Sequence, residues 1–165
     1  MNERMKMRRE AREYALQFLF EIEYEHSDIQ ETLNEFWTLQ EKSVSPDCHG
    51  FSEQLIWGVL EHMEALDATL KKVADNWEVK RMSRVDRNVL RIAIYEMKFR
   101  TDIPPVVSIN EAVDIARDFS GGVSGKFVNG VLDRISKDLD RPLRTVNEQD
   151  ASADPDPKAI PEPAP

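Results

Sequence analysis

The stretch VLRIAIYEM (Val89–Met97) decides how the chain reads. Apolar side chains stand at Val89, Leu90, Ile92, Ala93, Ile94, Tyr95 and Met97. At 3.6 residues per turn they point in nearly every direction, and a helix that is apolar all round must be enclosed by other helices. The segment therefore reads as the central helix of an all-α fold, over about 84–99. Ser83 is placed to cap its start, with Asp86 at the acidic position that the positive end of a helix favours. TDIPP (Thr101–Pro105) closes it, because proline removes a donor and disfavours helix just before itself. Glu96 interrupts the apolar run. A buried carboxylate needs a cation or hydrogen bonds, so Glu96 reads as a structural tether or an edge residue rather than a general base.

Helical spacing recurs on both sides of this segment. Upstream, Ala11, Tyr14, Ala15, Phe18, Leu19 and Ile22 mark an amphipathic helix over 8–24. Ser27 and Gln30 form a capping box for a second helix, with Ile29, Leu33, Phe36 and Trp37 on its buried face. EKSVSPDCHG (Glu41–Gly50) reads as a loop. From Phe51 to Asn76 one apolar stripe fits either a single long helix or two joined near Glu64–Asp67, followed by a connector at Trp77–Met82. Downstream, Ser108 and Glu111 form a capping box for a helix over 109–119. SGGVSG (Ser120–Gly125) reads as a tight turn before a last helix over 126–139. After Leu143 the composition turns acidic and proline-rich, and the segment 144–165 is expected to be disordered. The body between, 8–143, is the expected domain.

Bulk numbers agree with one helical domain. The chain has 165 residues, 41% of them hydrophobic, and only six glycines. Neither a signal peptide nor a stretch long enough to span a membrane is visible. The single cysteine, Cys48, forms no internal disulfide, which points to a reducing cytoplasm.

The charge is uneven. The net charge is -9, yet residues 1–12 carry Arg4, Lys6, Arg8, Arg9 and Arg12 against Glu3 and Glu10. Residues 1–7 are expected as a flexible basic leader. Arginines at a helix start oppose its dipole, so either this head is a solvated helix start or it faces an external anion. Catalytic constellations are wanting. Cys48 and His49 are adjacent rather than spaced as a zinc pair. SGGVSGKF (Ser120–Phe127) fails as a nucleotide loop, with Ser120 where glycine is needed and Phe127 where Ser or Thr is needed. A glycine-rich approach beside Lys126 could still hold a phosphate, or be a plain helix–helix turn. A binding protein is favoured over an enzyme, with neither metal nor cofactor expected.

Three collinear stretches carry a resemblance: RREAREYALQFLFEIEY (Arg8–Tyr24), NWEVKRMSRVDRNVLRIAIYEM (Asn76–Met97) and IPPVVSINEAVDIARDFSGGVSGKFVNGVLDRI (Ile103–Ile135). Together they resemble the NusB family of bacterial transcription antitermination factors. The resemblance implies seven helices in two three-helix bundles and no catalysis. It also implies binding of boxA RNA together with ribosomal protein NusE, within an antitermination complex on RNA polymerase that supports ribosomal RNA synthesis. Residue by residue, it assigns RNA contact to Arg8, Arg9 and Arg12 with Lys6 beside them, and to Lys126, Phe127 and Asn129. Glu10 interrupts the basic head and weakens its field. Phe127 either stacks on a base or packs in the core with Val131. The NusE surface is implied at Phe20, Tyr24 and Asp86. Two other readings stand beside this one: an RNA-binding head related to ribosomal RNA cytosine methyltransferases, and a helical module that binds protein, including a second copy of itself as a homodimer.

Overall fold

The computed structural model describes residues 2–23, 28–74 and 82–144. Those residues form seven helices: α1 (Glu3–Ile22), α2 (Ile29–Thr38), α3 (Pro46–Glu61), α4 (Met63–Val73), α5 (Arg84–Phe99), α6 (Pro105–Ser120) and α7 (Gly122–Lys137). None of the described helices is long and apolar enough to cross a membrane.

Helix α5 is the hub. It packs against α1, α3, α4, α6 and α7, while α1 also packs on α2 and α3, and α6 on α7. Every residue from Asp86 to Met97 is buried. The central-helix reading therefore holds, and for the expected reason: its apolar side chains have neighbours on every side. Ser83 caps it, its hydroxyl accepting from the Asp86 amide at 3.1 Å. Across the α1–α2 corner, Tyr14, Phe18, Phe36 and Trp37 meet edge to face, with ring centroids 5.1–6.4 Å apart. Such pairs add about 1 kcal/mol each beyond area burial.

Helix starts differ most from the sequence reading. Helix α1 begins at Glu3, capped by Asn2, whose side chain accepts from the Met5 amide at 2.8 Å. Residues 3–7, expected as a flexible leader, are its first turns. This removes the electrostatic oddity of the arginines, since dipole effects fade beyond the first turn. Asp28, rather than a Ser27–Gln30 box, caps α2; Ser27 lies outside the described residues. Ser45 caps α3 with Pro46 in its first turn, so half of the expected loop is helix. The long apolar stripe breaks at His62, whose φ of -109° and ψ of 14° leave the helical basin. Helix α6 begins at Pro105, and Ser108 and Glu111 cap nothing: both make contacts across helices. The glycine-rich turn shrinks to Gly121, whose φ of 95° is costly for any side chain.

Beyond α7 the chain returns to the α5–α6 corner. Arg141 donates to the carbonyls of Met97 at 3.2 Å, Arg100 at 3.0 Å and Ile103 at 2.7 Å. These are orphan acceptors at and beyond the end of α5, and a guanidinium satisfies them from one side chain. The Val106 amide then donates to Leu143 O at 3.1 Å. Trp77 and the rest of the expected connector up to Arg81, like the segment from Thr145 onward, lie outside the described residues.

Candidate nucleic-acid interface

The three arginines of the basic head meet three different fates. Arg12 points inward. It is 3% exposed, and its Nε and Nη2 donate to the two oxygens of Glu96 at 2.8 Å each. Ser108 Oγ donates to the same carboxylate at 2.9 Å. Burial disfavours the Arg12 charge, and Glu96 more than offsets it, so its pKa stands above its ordinary value. Arg12, expected at the RNA face, is thus part of a core ion pair that ties α1 to α5. The tether reading of Glu96 holds.

Arg9 is half-buried against α6. It donates to Glu111, and its Nη2 donates to Asp114 at 2.9 Å. The hydrogen bond to Glu111 is the main reason it holds its proton more tightly than usual. Two carboxylates already neutralise this guanidinium.

Arg8 is differently placed. Its guanidinium lies over the Phe51 ring, 4.8 Å from the centroid. Asp102 Oδ2 lies 3.9 Å from its Nη2. That carboxylate is bound in bidentate fashion by Arg100, at 2.9 and 3.0 Å. Burial, then the charges of Arg4 and Arg12, push the Arg8 pKa down. Asp102 acts the other way. Lys6, two residues earlier and so on another side of the helix, is exposed, and so is Glu10.

The second expected edge sits on α7. Lys126 and Asn129 are exposed, while Phe127 is half-buried and packs against the core. Helix α7 starts at Gly122, so Lys126 stands a full turn inside rather than at the N-terminus. Helix α6 lies between this edge and the basic head. Its Glu111 and Asp114 hold Arg9, and its Val113 and Arg117 lie within 3.3–3.8 Å of where a Cβ on Gly125 of α7 would stand.

On the expected partner surface, Phe20 is 37% exposed near the end of α1. Arg84, from the start of α5, lies over its ring at 3.8 Å and donates to Glu23 at 2.9 Å. Arg87 also donates to Glu23. Sequence reasoning missed Arg84, Arg87 and Glu23. Two arginines in the first turn of a helix oppose its dipole, and that was the available signal. Asp86 stands on the same helix. It is 8% exposed and turns to α7, where Ser124 Oγ donates to it at 3.3 Å. So enclosed, Asp86, expected at the partner surface, offers little area to a partner. Tyr24 lies outside the described residues.

Cys48 is buried, and burial pushes its thiol up to about 11, which leaves it an inert core residue. His49 turns elsewhere, stacking on Trp37 at 4.3 Å and pairing with Glu53.

Residues 9–137 match the model of the NusB family. The chain belongs to the NusB family. Its members are transcription antitermination factors rather than enzymes. The NusB antitermination protein of Myxococcus xanthus is 43% identical, over 84% of this chain and all of its own length. That of Thermodesulfovibrio yellowstonii is 42% identical, over 79% of this chain and 92% of its own. Among solved structures, NusB of T. maritima superposes with a TM-score of 0.71 at 36% identity, over 79% of this chain and 91% of that one. A crystal structure of the antitermination factors NusB and NusE in complex with double-stranded RNA superposes with a TM-score of 0.73 at 26% identity, over 82% of this chain and 99% of that one. The NusB fold implied by the sequence resemblance is the fold found.

Proposed function

We propose that this chain pairs with ribosomal protein NusE, binds boxA RNA and joins the antitermination complex on RNA polymerase, supporting ribosomal RNA synthesis in the cytoplasm. The observation that carries the RNA part is the contrast within the basic head. Arg12 and Arg9 are matched by carboxylates at hydrogen-bond distance, whereas among the described residues Arg8 has a distant share of Asp102. The exposed Lys6, and Arg8 with 16% of its side chain open to solvent, are the residues of α1 assigned to phosphate, with Lys126 and Asn129 as the second edge. Phe127 offers only part of its ring for stacking on a base. Arginine suits this task because its planar fork binds phosphate and also stacks on bases. An overall acidic surface keeps nonspecific attraction to nucleic acid low, which fits a protein that completes its RNA site with a partner. The partner surface is centred on Phe20, with Arg84 and Glu23 around it.

Salt dependence tests the assignment. Each phosphate contact to a single strand contributes about 0.7 to the slope of log K against log salt. The variant Lys6→Ala/Arg8→Ala should therefore lower that slope by about 1.4 for boxA RNA, with the chain still folded at the temperature of the titration. A slope equal to that of the parent chain removes the head from the RNA face.

A further inference from the structure

We propose that Phe51, although buried, is the residue that positions Arg8 for RNA. The inference rests on the assignment of Arg8 to the RNA face, and it names what holds that side chain in place.

The geometry converges on one ring. Phe51 lies in the second turn of α3 and is 6% exposed. The guanidinium of Arg8 stands over it at 4.8 Å from the centroid, that of Arg12 at 5.4 Å and that of Arg100 at 5.5 Å. A cation within about 6 Å of an aromatic centroid is attracted by the negative face of the ring. Two of these cations are fixed by other partners. Arg12 is forked onto Glu96. Arg100 is forked onto Asp102, and its Nη1 donates at 2.7 Å to Oε1 of Gln54, on the same helix as Phe51. Phe51 is itself packed in the core, so its ring is a fixed surface.

Arg8 is the third cation, and its other ties are weak. Asp102, whose oxygens already accept from Arg100, stands 3.9 Å from it, beyond hydrogen-bond reach. Arg4, Arg12 and Arg100 repel its charge. A long side chain pushed by three cations and weakly drawn by one acid would swing out to water. The ring of Phe51 opposes this. Attraction to a ring face uses no N–H donor, so the fork of Arg8 stays available for phosphate. An arginine ordered before binding loses less rotamer freedom on contact, which raises affinity. Leucine would fill the same space beneath Arg8 without attracting it.

Fluorine separates attraction from packing. It drains charge from the ring face with little change of shape. Phe51 is replaced by difluoro- and then pentafluorophenylalanine in the full chain, with and without Arg8→Ala. The urea midpoint should fall along the series by more in the parent than with Arg8→Ala, where Arg12 and Arg100 alone feel the change. The dissociation constant for boxA RNA, in the presence of NusE, should rise several-fold along the series in the parent and stay level with Arg8→Ala. The slope of log K against log salt should hold along the series, because the Arg8 charge is kept, whereas Arg8→Ala lowers it by about 0.7. If the pentafluoro chain fails to fold, the difluoro chain decides. Equal midpoint losses in both backgrounds overturn the contact. RNA affinity that shifts equally in both backgrounds gives the ring a structural role alone and overturns the positioning. A level dissociation constant in the parent, with Arg8→Ala still weakening RNA, overturns the positioning and leaves the RNA reading intact. RNA binding indifferent to Arg8→Ala removes Arg8 from the RNA face and the positioning with it, while the midpoints still decide the contact.

Discussion

Arg12→Ala should cost about 3–5 kcal/mol of folding stability, read as a lowered midpoint in urea. The reason is not the loss of an attractive pair as such. Taking both charges out of water costs several kcal/mol per ion, and their mutual attraction repays it only through good geometry. Here the geometry is bidentate at 2.8 Å, and Ser108 fills a further lone pair of Glu96. Removing Arg12 alone leaves Glu96, which is 1% exposed, charged and unmatched on the central helix. Removing both charges is different. Arg12→Met/Glu96→Leu should recover most of the loss, because apolar groups of similar size suit an apolar site. The rest of the pocket wall is Leu16, Val89, Ile92, Ala93, Ala112 and Ile115 around Ser108. A single variant within about 1 kcal/mol of the parent would show that the pair is not buried as described. The same logic bars Arg12→Ala as a probe of RNA contact, since lost binding would follow lost folding.

Gly58→Ala should be the second severe variant. A Cβ at Gly58 would stand 2.0 Å from Tyr95 Cζ and within 2.5 Å of both flanking ring carbons. The ring has nowhere to go: Tyr95 is 3% exposed and lies beside Phe99 and His62 with centroids 5.8 Å away. Alanine gains about 1 kcal/mol of helix propensity over glycine. Overpacking at such a contact costs about 3 kcal/mol, so the clash wins and α3 is pushed off α5. Tyr95→Leu should rescue part of this. The double variant should be more stable than the sum of the two single effects by about 1–3 kcal/mol, the size expected of residues in contact. Additive effects would place the conflict elsewhere.

How much of this was legible depends on where each residue finds its partner. Helix α5 could be read because its signals are local: an apolar run, Ser83 before it and proline after it. The start of α1 could not, because Asn2 caps a charged turn that carries no apolar period. Ser108 and Glu111 matched the capping-box spacing, yet Glu96 and Arg9 claim them from other helices, and Pro105 starts α6 instead. Arg8 and Arg12 look alike in the sequence. What separates them is Glu96, 84 residues along the chain from Arg12, which only packing brings near. Asp86 was read by position in a motif, while its burial against Ser124 depends on how α7 returns.

A titration of labelled boxA RNA and a scrambled RNA of equal length, with this chain alone and with equimolar NusE, tests the central claim most directly. BoxA RNA should be bound more tightly than the scrambled strand, and the preference should sharpen when NusE is present. Equal binding of the two RNAs in the presence of NusE would contradict it.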